Sequence, residues 1–276
     1  MPASGSALLR GLVVACHPLP TLAVTTFAAG WGAATGLPAG RTALVFLAVL
    51  LGQLAIGWCN DAVDAPRDLA ADRRDKPVVT GLVTAPMLVR ATVVAVVLCV
   101  PASFALGVRA GLAHMGVLAS GLVYDLALKP TAWSPLPYAV AFGLLPAVPT
   151  LAATPPVWPA PGVMAGGALL GLAAHFANTV GDVDQDAATG VRGMPQRLGP
   201  AGSLRASAVL VALAGLALLT AATHAGALAL AVLGAGIVLA VAGAVLGARM
   251  AERGRTAFRL TLAAVALVIA GFLLSA

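Results

Sequence analysis

Residues 60–68 read Asn-Asp-Ala-Val-Asp-Ala-Pro-Arg-Asp and follow an apolar run, residues 42–59, that contains no charged side chain. A helix through this stretch places Asn60, Asp64 and Asp68 on one face, because residues four apart lie one turn above each other. Carboxylates at membrane depth are costly unless they are paired or bind a metal. The stretch therefore indicates a membrane helix that ends in a functional cluster of oxygen ligands.

The rest of the chain has the composition of a membrane protein. Of its 276 residues, 60% are hydrophobic and 9% are charged, and the mean hydropathy is +0.98, whereas soluble domains carry about 25% charged residues. The apolar runs are unbroken and rich in Ala and Leu, which favours helices over a barrel of alternating strands. We predict an all-α fold: a multi-pass transmembrane helical bundle forming a single domain over residues 1–276.

The apolar runs predict about nine spans of roughly 20 residues each. The predicted bounds are 9–34, 42–65, 86–108, 110–128, 134–153, 162–186, 203–222, 226–248 and 257–275. With the N-terminus inside, 14 of the 16 basic residues lie on the inner face, and Arg41 and Arg109 are the exceptions. The positive-inside rule then predicts a cell-membrane protein with its acidic clusters on the cytoplasmic side and its C-terminus outside. The net charge of +6 follows this topology, so we expect no nucleic-acid partner.

A second cluster repeats the pattern of the first. Residues 178–186 read Asn-Thr-Val-Gly-Asp-Val-Asp-Gln-Asp, so Asn178, Asp182 and Asp186 are again four residues apart. In both copies a Pro follows the first Asn after 17 residues and a Gly follows it after 21: Pro77, Gly81, Pro195 and Gly199. These matched offsets indicate an internal repeat displaced by 118 residues.

Two oxygen-rich clusters beside basic loops suit a bound diphosphate. Amide and carboxylate oxygens are ligands for hard cations such as Mg²⁺, and Arg and Lys side chains donate to phosphate. The residues predicted to bind Mg²⁺ are Asn60, Asp64, Asp68, Asn178, Asp182 and Asp186. The residues predicted to contact the diphosphate are Arg73, Arg74, Lys76 and Arg192. Ordinary solvated loops are the alternative, but they do not explain why the Asn, Pro and Gly offsets recur.

At these residues the chain resembles the UbiA superfamily of intramembrane prenyltransferases. That family carries N-D-x-x-D-x-x-x-D after its second helix and D-x-x-x-D after its sixth, matching residues 60–68 and 182–186. The resemblance covers nearly the whole chain. It implies that Mg²⁺ in both motifs holds the diphosphate of an isoprenoid donor whose tail lies in an apolar tunnel. The family's Y-x-x-x-K motif implies catalytic roles for Tyr124 and Lys129, which are one residue further apart here.

Other polar residues have competing interpretations. Arg10 is predicted to contact the diphosphate, and its alternative role is to set the topology. His175 lies one turn before Asn178 and is predicted to line an acceptor pocket. His17 is interpreted as a hydrogen-bonded structural residue, and Asp125 as either a local cap or a site residue.

The predicted reaction is Mg²⁺-dependent transfer of a prenyl group from an allylic isoprenoid diphosphate to a small acceptor within the lipid bilayer. Mg²⁺ and basic side chains stabilise the leaving diphosphate, and apolar walls keep water from the allylic cation. Asp61 and Asp184 lie off the metal-binding face and are predicted to be catalytic, orienting the acceptor or accepting its proton. The acceptor stays open among an aromatic acid, a quinone precursor, a tetrapyrrole, a sugar phosphate and a glycerol phosphate.

Two other functions fit parts of the pattern. A membrane terpene cyclase of the same family would use the same acidic clusters and need no acceptor. An ion-coupled transporter would explain the internal repeat. Its acidic residues would be expected near the bilayer midplane, whereas these lie at helix ends beside basic loops.

Overall fold

A computed structural model of the chain describes residues 5–180, 190–222, 225–249 and 254–275. Helices make up most of these residues. In chain order they are α1 (Gly5–Ala15), α2 (Pro18–Ala34), α3 (Ala39–Ala70), α4 (Ala85–Phe104), α5 (Val108–Val123), a π-helical turn (Tyr124–Leu128), α6 (Pro135–Leu144), α7 (Ala147–Leu151), α8 (Pro161–Thr179), α9 (Met194–Leu219), α10 (Ala227–Arg249) and α11 (Gly254–Leu273). A helix or a pair of helices lies at each predicted span, which confirms the all-α fold class.

The helices have the lengths and composition that a bilayer requires. Among the described residues, five helices are long and apolar enough to cross a membrane: α3, α4, α5 with its π-helical turn, α9 and residues 227–245 of α10. The α1–α2 pair would be a sixth span, bent by 65°. Shorter apolar helices lie at Pro135–Leu151 and Arg259–Leu273. Many large apolar side chains are exposed on these helices, as expected for surfaces that face lipid.

The first predicted span, 9–34, is not one continuous helix. The chain breaks between α1 and α2, where His17 has a φ of 54° and Pro18 begins α2. Proline suits the first turn of a helix because the N–H it lacks would have no acceptor within the helix at that position. The Thr21 hydroxyl donates to the Cys16 carbonyl at 2.6 Å and so bonds one of the acceptors left at the end of α1.

The described chain divides into two compact units. The first comprises residues 1–126 and 148–156, and the second comprises residues 127–147 and 157–276. In the first unit α3 is the central helix and packs against α2, α4 and α5. In the second unit α9 packs against α8, α10 and α11, and α6 packs against α8.

Close backbone contacts hold α1 against α3 within the first unit. The Trp58 indole N–H donates to the Leu12 carbonyl at 2.9 Å. One residue earlier, a Cβ placed on Gly57 would lie 2.7 Å from the Cys16 carbonyl oxygen, which is closer than real Cβ contacts allow. Glycine at position 57 therefore lets the end of α1 approach the acidic end of α3.

The internal repeat is visible in the backbone that follows α3 and α8, where Gly81 lies in a loop and Gly199 lies at a kink inside α9. Gly81 and Gly199 have φ values of 75° and 70°, in the left-handed region that favours glycine. Asp72 and Gly190, which are also 118 residues apart, have φ values of 47° and 88°. Two left-handed positions at the same offset support a repeated loop conformation after α3 and α8.

The Gly57 contact predicts the effect of adding a methyl group. Gly57→Ala forces α1 away from α3, and we expect the free energy of unfolding to fall by about 1–3 kcal/mol. Gly30→Ala is the matched control, because Gly30 is also helical but has nothing within 4 Å of its Cβ position. The control should be neutral or more stable by up to about 1 kcal/mol. Unfolding of the detergent-solubilised variants tests this, and equal stability of the two variants would contradict it.

Candidate functional site

The first acidic cluster lies on the last three turns of α3. The predicted end of this span, residue 65, is too early, because the helix continues through Pro66 to Ala70. A proline removes only one backbone hydrogen bond, and the surrounding turns hold the helix together. The continuation keeps Asn60, Asp64 and Asp68 on one face. Asp64 and Asp68 are buried.

The two buried carboxylates have different partners. Asp64 accepts a hydrogen bond from the Arg67 guanidinium, which lies one turn further along α3. One oxygen of Asp68 is 4.0 Å from the Arg73 guanidinium, and the other is buried without a hydrogen-bond partner among the described residues. A buried carboxylate oxygen without a donor is unfavourable, and a hard cation is the partner that suits it.

Asn60 is held by a residue from another helix. Its side-chain N–H donates to Asp125 at 2.9 Å, and Asp125 is buried in the π-helical turn. Because the amide nitrogen faces Asp125, the amide oxygen of Asn60 is directed to the other side of the amide. The sequence left two roles for Asp125, a local cap or a residue of the site. The hydrogen bond connects it directly to Asn60, a predicted metal ligand.

Asp61, next to Asn60, forms a separate polar cluster. Its side chain is 1% exposed and accepts from Lys76 Nζ at 2.7 Å and from His17 Nε2 at 2.9 Å, both on Oδ1. Lys76 is itself only 12% exposed. Asp61 was predicted to meet the acceptor or its proton, but in the structure these two side chains cover it. The cluster connects α3 to the loop that follows it and to the break between α1 and α2.

The basic loop after α3 turns some of its cations towards the carboxylates and leaves others in solvent. Arg73 contacts Asp75 at 3.0 Å as well as Asp68. Partial burial raises the pKa of Asp75, but the hydrogen bond and charge of Arg73 outweigh it, so the pKa lies below its ordinary value. Arg74 is 81% exposed and pairs only at the surface, with Asp72 at 3.1 Å. The loop therefore brings Arg73 and Lys76, but not Arg74, to the buried carboxylates.

The unusual Tyr124–Lys129 spacing coincides with the π-helical turn. Tyr124 is buried at the start of this turn, and Lys129 follows directly after its end. A π-helix bonds residue i to residue i+5, so it holds one residue more per hydrogen-bonded turn than an α-helix. The turn thereby takes up the residue by which this chain departs from Y-x-x-x-K. Such turns often occur at functional sites.

In the second unit His175 is buried in a polar and aromatic setting. Its Nε2 lies 3.0 Å from the Ser134 hydroxyl, which also accepts from the backbone N–H of Met194 at 3.1 Å. The Tyr138 ring is 4.8 Å from the imidazole, centroid to centroid. Ser134 thus joins α8 to the start of α6 and the start of α9, and it fixes the side chain predicted to line an acceptor pocket.

The remaining predicted residues are exposed or lie outside the described part of the chain. Arg10, Asn178 and Arg192 have exposed side chains, and the Arg192 carbonyl accepts from Arg197 Nε at 3.0 Å. Asp182, Asp184 and Asp186 fall outside the described residues. Across the described ranges, no three His, Cys, Asp or Glu side chains are grouped as ligands of a metal ion would be.

Two contacts of the site were not predicted from the sequence. Asn60–Asp125 joins residues 65 apart, and His17–Asp61 joins residues 44 apart. One signal was available for His17, because a polar residue directly before Pro18 marks a place where a membrane helix must break. No comparable local signal identifies Asp125, since its partner is set by how α5 packs on α3.

Comparison with known proteins gives one family. The sequence profile of the UbiA prenyltransferase family matches residues 22–265. A search of curated proteins gave no match.

Solved structures with the same fold include three that align over almost the whole chain. The apo structure of a UbiA homologue from Aeropyrum pernix K1 has a TM-score of 0.73 and 21% identity, covering 91% of this chain and 96% of that one. A UbiA homologue from Archaeoglobus fulgidus bound to GPP and Mg²⁺ has a TM-score of 0.73 and 15% identity, covering 96% and 100%. A structure described for digeranylgeranylglyceryl phosphate synthase has a TM-score of 0.73 and 15% identity, covering 97% and 98%.

The Asp61–Lys76 pair is expected to be coupled energetically. Asp61→Ala leaves the Lys76 ammonium nearly buried without its carboxylate, and we expect the free energy of unfolding to fall by about 3 kcal/mol. A double-mutant cycle with Lys76→Ala should give a coupling of about 1–3 kcal/mol. The Asp72–Arg74 pair, which is 68% and 81% exposed, is the control and should give below about 1 kcal/mol. Similar coupling energies in both pairs would show that the Asp61–Lys76 pair is not a buried ion pair.

Proposed function

The chain belongs to the UbiA prenyltransferase family, and we propose that it transfers a prenyl group from an allylic isoprenoid diphosphate to a small acceptor within the membrane. The observation that carries the proposal is the buried end of α3. There Asp64 and Asp68 stand beside Arg73 and Lys76, and one Asp68 oxygen has no donor among the described residues. A UbiA homologue with this fold has been solved with GPP and Mg²⁺ bound, the same pair of ligands that this cluster suits chemically.

The ligands proposed for Mg²⁺ are all oxygen donors. In the first motif they are Asn60, Asp64 and Asp68, and Mg²⁺ prefers a few such ligands completed by substrate phosphates and water. In the second motif they are Asn178, Asp182 and Asp186. Bound Mg²⁺ would neutralise charge on the leaving diphosphate. Arg67 pairs with Asp64 in the structure and would be available to a phosphate oxygen if Asp64 bound the metal.

The basic residues take up the rest of the diphosphate charge. Lys76 and Arg73 are the best placed, because both already lie at the buried carboxylates. An ammonium or guanidinium in a water-poor site stabilises a developing phosphate charge far more than it does in water. The proposed contacts with exposed side chains are Arg10, Arg74 and Arg192. Tyr124 and Lys129, on either side of the π-helical turn, are proposed catalytic residues.

The apolar helices have a chemical role as well as an anchoring one. A prenyl cation reacts with water, so its lifetime depends on walls that exclude water. Helices as apolar as α3 and α4 provide such walls, and their side chains can also pack against the apolar tail of the donor. From the distribution of basic residues we propose that the active site opens to the cytoplasm, with the N-terminus inside and the C-terminus outside.

The first test is diphosphate release by purified protein in detergent. The donors are geranyl, farnesyl and geranylgeranyl diphosphate, with and without Mg²⁺. We expect Mg²⁺-dependent release by the wild type and at least a 100-fold loss in Asp64→Ala and Asp182→Ala, since each removes a metal ligand. Asp72→Ala is the matched control: it removes a carboxylate from the same loop, but one that is exposed and paired with Arg74, so activity should stay within about twofold.

The outcomes separate the competing functions. Release that is lost in both ligand variants and gives a prenylated acceptor supports the proposal. A hydrocarbon product formed without acceptor identifies a cyclase instead. Failure to release diphosphate from any donor, even with a crude lysate added as a source of acceptor, while both variants are folded and indistinguishable from wild type, would reject the proposal and favour a transporter.

A second test concerns the contact between Asp125 and Asn60. Asp125→Leu leaves the Asn60 amide free to rotate, so we expect the Mg²⁺ concentration for half-maximal release to rise roughly 10–100-fold, as for other partners of metal ligands. Asp125→Asn keeps an acceptor oxygen for Asn60 and should shift this concentration much less. The measurement is a Mg²⁺ titration of diphosphate release at saturating donor. An unchanged titration in folded Asp125→Leu would show that the contact does not orient a metal ligand.

A further inference from the structure

A cavity of about 270 Å³ opens beside the break between α1 and α2. Part of its lining is apolar and includes Val14 and Leu19, together with three prolines. The other part is polar and consists of His17, Asp61, Asp75 and Lys76. All of these residues belong to the first unit, and Asp61 follows the proposed metal ligand Asn60 directly. The cavity therefore lies next to the proposed diphosphate site on the same helix.

The hydrogen bonds of Asp61 determine which nitrogen of His17 carries hydrogen. A carboxylate oxygen only accepts hydrogen bonds, so the 2.9 Å contact requires an N–H at His17 Nε2. The neutral imidazole then has its lone pair at Nδ1. An Asp that holds one ring nitrogen while the other takes a proton is the arrangement by which carboxylates support histidine bases.

Exposure distinguishes His17 from Asp61. The His17 side chain is 39% exposed and that of Asp61 is 1% exposed, so the histidine offers far more of its surface to a molecule in the cavity. The φ of 54° at His17 is uncommon for a residue with a side chain. Residues held in such strained conformations occur preferentially at functional sites. At the break of the first span, the imidazole of His17 therefore lines the cavity, and its hydrogen bond to Asp61 holds the ring in place.

We infer that this cavity holds the acceptor and that His17 Nδ1 takes the acceptor's proton. The inference rests on the proposed prenyl transfer and names the acceptor class: a small molecule with a nucleophilic hydroxyl. The hydroxyl oxygen forms a bond to C1 of the prenyl group as the C1–O bond to the diphosphate breaks. The electron pair of that bond leaves with the diphosphate, and the hydroxyl proton moves to His17. The imidazolium is stabilised by Asp61, which Lys76 keeps in place from the other side.

The size of the cavity limits the acceptor. Sites for small molecules usually measure about 300–1,000 Å³, and this one, at about 270 Å³, is just below that range. A single aromatic ring system or a glycerol phosphate fits such a volume.

The test compares two rates in the same protein sample. The first is Mg²⁺-dependent diphosphate release from geranylgeranyl diphosphate without acceptor. The second is prenylation of three hydroxyl probes: 4-hydroxybenzoate, 1,4-dihydroxy-2-naphthoate and glycerol 1-phosphate. His17→Gln retains an N–H for Asp61 but cannot accept a proton, so transfer should fall at least 100-fold, as for loss of a general base. Release should fall much less than transfer, because His17 bonds to Asp61 and not to a proposed metal ligand.

Each result is decisive. Transfer that falls no more than release in His17→Gln overturns the role of His17. A wild type that releases diphosphate but prenylates none of the three probes overturns the small hydroxyl acceptor. A wild type that releases no diphosphate from geranyl, farnesyl or geranylgeranyl diphosphate, even with the three probes and a crude lysate present, refutes the proposed function itself, which is a different result from either.

A labelling experiment on the wild type keeps the inference testable if the variant folds poorly. Diethyl pyrocarbonate should modify His17, which is part-exposed, before His114 and His175, which are buried. Mass spectrometry after labelling with and without a saturating probe measures protection. Protection of His17 by a probe that is prenylated supports the inference, and unchanged labelling in its presence overturns it.

Discussion

The buried carboxylate of Asp61 is the group on which the surrounding structure depends. A charge at 1% exposure at the end of an apolar helix is tolerated only if other charges and donors reach it. Lys76 reaches it from the loop after α3, and His17 reaches it from the break in the first span. Both contacts impose geometry on segments that are otherwise far apart in sequence. The loop must fold back over the helix end, and α1 must stop where His17 stands beside α3.

The close packing of α1 follows from the same requirement. His17 meets Asp61 only if the end of α1 approaches the backbone of α3, and Gly57 and Trp58 provide that approach. Gly57 allows the approach because it has no side chain. Trp58 holds the two helices together by donating to the Leu12 carbonyl. Packing and electrostatics therefore support each other at this point. A substitution that separates the helices also leaves a carboxylate with one donor fewer.

Sequence reasoning succeeded where the relevant physics is local. The shared face of Asn60, Asp64 and Asp68 follows from helical periodicity, which Pro66 does not interrupt. The repeated loop was also readable, because left-handed positions select glycine, as at Gly81 and Gly199. The contacts of Asp61 and Asn60 were not readable, since they join residues 44 and 65 positions apart. The sequence therefore predicted a catalytic role for Asp61 without showing that Lys76 and His17 both bond to its carboxylate. The second acidic motif stays a prediction, because its three carboxylates lie outside the described residues.

The mixture of charges around the end of α3 has a consequence for how the site fills. Five carboxylates lie between Asp61 and Asp75, and four cationic side chains lie between Arg67 and Lys76, which leaves a single net negative charge. On the proposed function, such a nearly neutral cluster attracts bare magnesium only weakly, because Arg67 already occupies Asp64. A diphosphate changes this balance by drawing the guanidinium and ammonium groups to itself. On the proposed function, Mg²⁺ would therefore bind more tightly together with the diphosphate than it would alone.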